Sequence, residues 1–177
     1  MDFTGSLIYQ LHTLPGYSWL LLPAAALLSL IAELPRKEMR SPWRMLCRAL
    51  LAAWIALTLL VTLLNRSPGT TRAELTLFWS YGKPALRSEI LLNYLLFLPY
   101  GFLLALLRPK TPWWKLALSG LLFSAAIELT QLTMQLGLFE FDDIFGNTVG
   151  CLLGTLLGKL TETLIHRINQ KRPHGVR

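Results

Sequence analysis

The apolar residues of this chain fall into blocks of about twenty, separated by short clusters of Lys, Arg, Pro and Gly. Blocks of that length predict membrane spans, because ~20 helical residues rising ~1.5 Å each cross a hydrocarbon core of ~30 Å. Five are expected: Leu7 to Ala32, Leu46 to Leu64, Glu89 to Leu107, Leu116 to Leu136 and Ile144 to Ile165. The first is the most interrupted, carrying Gln10, His12, Pro15 and Gly16. Between the blocks lie a basic turn from Glu33 to Met45, a longer segment from Asn65 to Ser88, the turn Arg108 to Lys115 and an acidic link from Gly137 to Asp143. The pattern predicts an all-α polytopic bundle of about five transmembrane helices over residues 1–165. Residues 166–177 read as a basic, disordered tail.

Polar positions inside the last three blocks share a depth. Asn93 is ~6 Å from the start of its span, while Gln131 and Glu128 lie ~8 and ~12 Å from the end of theirs. The next span begins beside Asp142 and Asp143, with Asn147 a turn further in. Ser124, Glu128, Gln131 and Gln135 are spaced i, i+4, i+7 and i+11, which aligns them along one helix face. Asp143, Asn147, Gly150 and Gly154 repeat that spacing, and the row Gly146, Gly150, Gly154, Gly158 is a small-xxx-small run suited to close helix packing. Pro99 is expected to kink its helix and free the carbonyl of Leu95.

Composition agrees with a lipid setting. The 177 residues are 53% hydrophobic and 15% charged, with a mean hydropathy of +0.46, too apolar for the solvated surface of a small soluble domain. The basic excess behind the net charge of +7 sits in the gaps between blocks and in the tail. There it orients the protein and meets anionic head groups, and no gap is long enough for a nucleic-acid-binding module. Thirteen Lys and Arg flank one side of the expected spans and four the other, which predicts an outside N-terminus and a cytoplasmic C-terminus. If the first block is re-entrant, the other four keep that orientation. Trp43, Trp113 and Trp114 then lie at the inner boundary and Trp79 and Tyr81 just outside. The N-terminus lacks the basic start of a cleavable signal peptide and is expected to be retained. Cys47 and Cys151 sit at different depths and read as packing residues.

Structural uses compete for the polar positions. Asp142 or Asp143 suits the cap of a helix; Asn93, Gln131 and Asn147 suit interhelical hydrogen bonds worth ~1 kcal/mol each; the glycines suit packing. Glu128 is different, because a carboxylate within a span costs ~2.5 kcal/mol or more and demands a partner or a role. His12 reads as interfacial, and His166 and His174 lack metal-ligand spacing, so no metal or cofactor is expected.

The stretch NYLLFLPYGFLL from Asn93 to Leu104, followed by Ser124, Ile127, Glu128 and Gln131 and then Asp142, Asp143, Asn147, Thr148, Gly150 and Gly154, resembles the VanZ-like signature. The resemblance covers residues 75–160; the first two spans share the family's topology. VanZ-like proteins often carry an Arg in the link after the fourth span, where this chain has Gly137. The resemblance implies an integral membrane protein associated with resistance to glycopeptide antibiotics, teicoplanin above all.

Three functions are compatible with these residues. The cluster of Asn93, Ser124, Glu128, Gln131, Asp142, Asp143 and Asn147 binds, in the outer leaflet of the cell (inner) membrane, the head group of a lipid-linked envelope precursor or an amphiphilic antibiotic. Alternatively Glu128, Asp142 and Asp143 act on a lipid-linked phosphate or acyl group. In the third, Glu128 is the relay of a proton-coupled lipid flippase. The absence of a recognisable catalytic motif favours binding, with membrane lipids as the expected partners.

Overall fold

The computed structural model describes residues 20–31, 42–64, 69 and 72–171. Among them are five α-helices: α1 (Leu21–Ile31), α2 (Pro42–Leu59), α3 (Arg87–Leu107), α4 (Trp113–Thr133) and α5 (Phe141–Lys171). Two three-residue strands, β1 (Arg72–Glu74) and β2 (Leu138–Glu140), pair in parallel with Ala73 opposite Phe139. Four helical stretches, 42–63, 84–107, 113–133 and 141–168, are long and apolar enough to cross a membrane. The helical fold expected from the blocks is therefore present. Only Leu21–Ile31 of the expected first span is seen as helix, and the rest of that block, apart from Leu20, lies outside the described residues.

Proline sets most of the starts. Pro42 opens α2, a 3-10 turn at Pro84–Leu86 leads into α3, and Pro112 precedes α4; a proline in the first turn lacks an amide that would be unpaired there anyway. The helix α3 stops at Leu107, two residues before Pro109, whose ring disfavours helix in the residue ahead of it. The short strand β2 gives way directly to α5, which runs 31 residues. At ~1.5 Å per residue this is longer than a ~30 Å hydrocarbon core. The first six residues of the expected disordered tail, His166 to Lys171, thus continue the helix, and 172–177 lie outside the described residues.

The end of α4 also departs from expectation. The spacing carried the polar stripe through Gln135, but the helix stops at Thr133 and Gln135 takes a left-handed φ of 58°. The Leu136 amide donates to the Gln131 carbonyl and the Gln135 amide to that of Leu132, the paired bonds of a Schellman ending. Gln135 is exposed and outside the buried face. Gly137 follows at φ 154°, a region that side chains rarely adopt.

The bundle is inverted relative to a soluble protein. Leu91, Leu95, Leu118, Leu122, Leu129, Leu153 and Leu160 are exposed, whereas Ser124, Glu128, Gln131 and Asn147 are buried, as expected where the surrounding medium is lipid. Phe97, Ile127 and Cys151 form a small core, with Tyr100 and Phe123 packed against it. Both cysteines are buried and unpaired.

The closest packing joins α3 and α5. A Cβ at Gly150 would overlap the Tyr94 carbonyl, one at Gly154 the Leu98 carbonyl, and one at Gly158 would lie 2.7 Å from both the Phe102 oxygen and the Ala105 Cβ. Gly146, at the top of the row, has only an ordinary approach to Asn93. In return, Gly101 on α3 makes room for the Cys151 backbone. The expected glycine seam therefore exists, and it faces α3. Gly154→Ala should destabilise the protein by about 1–3 kcal/mol or more through overpacking against backbone, while Gly82→Ala, with nothing within 4 Å of the new Cβ, should leave thermal unfolding in detergent nearly unchanged.

Candidate functional site

The seven polar residues singled out in the sequence run from the end of the bundle where α2 and α4 end and α3 and α5 begin to Ser124 at the middle of α4. Helix α4 turns Ser124, Glu128 and Gln131 to its buried face, each no more than 2% exposed. Their i, i+4, i+7 spacing keeps them in one row across ~10 Å of helix.

Each residue of the group has its own hydrogen-bonded contact. On α5, the Asn147 Nδ2 donates to Ser124 Oγ at 2.9 Å, joining α5 to α4. A turn nearer the end, Asn93 Nδ2 donates to Asp143 Oδ1 at 2.7 Å, joining α3 to α5. Gln131 reaches the other way, donating from Nε2 to the Thr62 carbonyl at 2.8 Å. Thr62 belongs to a π-helical segment, Leu60–Leu64, that ends α2, a wider turn often found at functional positions. Glu128 Oε2 accepts the amide of Glu140 at 3.0 Å, so the buried carboxylate holds β2 against α4.

Asp142 is committed to a turn sixty residues earlier in the chain. Its Oδ1 accepts the Phe78 amide, and its Oδ2 accepts the Ser80 amide at 3.0 Å together with the Ser80 hydroxyl. These three bonds fix the segment between β1 and α3, where Phe78 adopts φ 66°. Nearby, Trp79 Nε1 donates to Glu140 at 3.2 Å, Lys83 sits 3.5 Å over the Trp79 ring, and the Tyr81 and Tyr94 hydroxyls lie 2.7 Å apart. Burial pushes the Tyr81 phenol upward, reinforced by the bond to Tyr94 and the neighbouring Asp142 and Asp143. On β1, the side-chain and backbone bonds of Thr76 hold the Glu74 carboxyl below its ordinary range.

Among the described residues of this group, two polar atoms are left over. Gln131 Oε1 and Asn147 Oδ1 are buried without a hydrogen-bond partner. The Gln131 orientation is fixed by chemistry, since only the amide nitrogen can face the Thr62 carbonyl. An unpaired buried acceptor costs ~1–3 kcal/mol, and a lipid surround has no water with which to relieve it. Among the described residues no group of three or more His, Cys, Asp or Glu side chains is placed to hold a metal ion.

The sequence missed several contributors. Thr62, Ser80 and Glu140 hold the polar residues through backbone or short-range groups that leave no compositional signal. Beside Pro99, the Trp54 indole donates to the Leu96 carbonyl at 2.7 Å, next to the Leu95 carbonyl expected to be freed. At the opposite end, Lys159 Nζ donates to the carbonyls of Pro109 and Thr111, both at 2.6 Å, and Arg108 at 3.3 Å. There it closes the α3–α4 turn rather than acting only as a flanking charge.

A family model described as VanZ/LLP1 matches residues 43–162. That range extends the resemblance from residues 75–160 back into the second span. No curated protein and no solved structure matches the chain.

The hydrogen bonds predict unequal costs. Asp142→Ala strips the acceptor from three donors of one turn and should cost about 3 kcal/mol, since each stranded donor is worth ~1–3 kcal/mol where buried. Gln131→Leu removes one made bond and one orphan oxygen together and should shift stability by less than about 1 kcal/mol. Thermal unfolding of both variants in the same detergent checks the order.

Proposed function

Because the chain belongs to the VanZ/LLP1 family, we propose that it is a multi-pass protein of the cell (inner) membrane that binds and handles a lipid-linked cell-envelope precursor, or an amphiphile of similar build, in the outer leaflet. The orientation rests on the excess of Lys and Arg around the opposite end. The observation that carries the reading is the pair of enclosed amide oxygens, Gln131 Oε1 and Asn147 Oδ1, flanking the buried Glu128 on faces that meet inside the bundle. Hydroxyl or amide N–H groups of a head group would satisfy both atoms and exchange an internal cost for binding energy. Both oxygens are closed off, so admission requires α4 and α5 to part at this end. The Asn147 bond to Ser124 is the contact between these two helices that would yield, while the Gln131 bond keeps α4 tied to the π-helical turn that follows α2.

The association with teicoplanin that the family resemblance implies agrees with a site that takes an amphiphile in the outer leaflet. An enzyme built on Glu128, Asp142 and Asp143 has less to draw on. The Asp142 carboxylate serves the 78–80 turn through three hydrogen bonds, and Asp143 accepts from Asn93.

Native mass spectrometry of gently purified protein tests the reading. Wild type should retain a lipid-linked precursor or another donor-rich amphiphile, Glu128→Gln and Asn147→Ala should retain several-fold less, and Gly82→Ala should match wild type. Identical retained lipids in all four would remove the polar layer as the site, as would unchanged teicoplanin tolerance of cells carrying either site variant at normal expression.

A further inference from the structure

The turn between β1 and α3 displays its apolar side chains outward. Leu75, Leu77 and Phe78 are 59%, 47% and 50% exposed, and Tyr81 is 36% exposed. Such exposure does not come from looseness. Asp142 holds the Phe78 and Ser80 amides and the Ser80 hydroxyl, the Tyr81 hydroxyl meets that of Tyr94, and the Phe78 ring stacks edge-on against Tyr81 and Phe145 with centroids 5.2 Å away in each case. Phe78 is even kept at φ 66°, a conformation that a side-chain-bearing residue adopts only when its surroundings impose it. The fold thus fixes these apolar groups in a position where, in water, they would be destabilising.

Their level explains the arrangement. The turn leads directly into the span 84–107, so it lies where α3 leaves the hydrocarbon. The exposed Leu91 and Leu95 continue the apolar surface down that helix. Around the turn, Arg72, Lys83 and Arg87 are exposed, and Lys83 is steered by the Trp79 ring. Apolar side chains with aromatic and cationic residues beside them match the layered chemistry of a bilayer boundary, with acyl chains below and phosphates above.

We propose that the Leu75–Tyr81 turn is an interfacial wedge, inserted among the phospholipids beside α3 and locked in that pose by Asp142. Leu75, Leu77 and Phe78 enter the acyl-chain boundary, and Lys83 and Arg87 lie at the phosphate level. The occupant of this surface is the phospholipid layer itself. The wedge does not depend on the polar layer binding a head group, and the Asp142 clamp joins the wall of that layer to the membrane surface.

Power-saturation electron paramagnetic resonance in nanodiscs of phosphatidylethanolamine and phosphatidylglycerol tests it. Spin labels go on Leu75→Cys and Leu77→Cys, with Leu122→Cys as the lipid-facing reference and Gln170→Cys, beyond the span 141–168, as the aqueous one. The two native cysteines are buried, and unsubstituted protein measures any background labelling. The ratio of oxygen to nickel-chelate accessibility at Leu75 and Leu77 should exceed that at Gln170 several-fold and approach that at Leu122. Ratios equal to that of Gln170 would overturn the insertion. Adding Ser80→Ala or Asp142→Asn to Leu77→Cys should lower the ratio and raise label mobility. No change in either variant, with the fold intact by circular dichroism, would overturn the role of the clamp.

Discussion

The backbone of α3 can lie directly on that of α5 only because Gly150, Gly154 and Gly158 present no side chain to the carbonyls of Tyr94, Leu98 and Phe102. That contact fixes how far each helix is displaced along the other. With the register set, Asn93 comes level with Asp143, and Asn147 falls a turn deeper, opposite Ser124 on α4. Asp142, one residue from Asp143 at the start of α5, then faces the turn that precedes α3. The small residues therefore do more than allow tight packing, since they determine which polar groups can reach one another.

Lipid makes those meetings obligatory. In water a misplaced amide exchanges its partner for solvent at little cost, but within a bilayer it must find a group of the protein or of a ligand. The structure obeys this rule with short, local solutions: Trp54 on a carbonyl beside Pro99, Lys159 on the carbonyls of the α3–α4 turn, Glu128 on the amide of β2. Against that background the Gln131 and Asn147 oxygens stand out. Among the described residues the Asn147 oxygen lies level with Ser124 and the Gln131 oxygen about two turns nearer the end of α4, and under the proposed function the donors of a ligand complete both.

Much of this was legible from residue spacing. Block lengths located the last four of the five expected spans, the i, i+4, i+7 row of Ser124, Glu128 and Gln131 identified a face that is indeed buried, and the four-residue glycine period marked the seam. What spacing could not convey was where a regular element stops. Gln135 continues the polar period, yet it is itself the left-handed residue at which the helix ends, closed by the Gln135 and Leu136 amides on the carbonyls of Leu132 and Gln131. Strands of three residues are too short to register a period. The partners of Asp142 lie 62 and 64 residues away, in the segment between two spans, where no period links them to it. For Asp142, spacing left helix capping and ligand binding open, and its carboxylate serves the turn before α3 instead.

Under the proposed function the polar residues are incompletely bonded until a ligand enters between the helices. An experimental structure of the wild-type protein in native-lipid nanodiscs, resolved well enough to place head groups, tests it most directly. The expected result is α4 and α5 parted at this end, with ligand donors within hydrogen-bond distance of Gln131 Oε1 and Asn147 Oδ1. It is contradicted if both oxygens are found paired to the protein's own donors with the layer closed and no ligand between the helices.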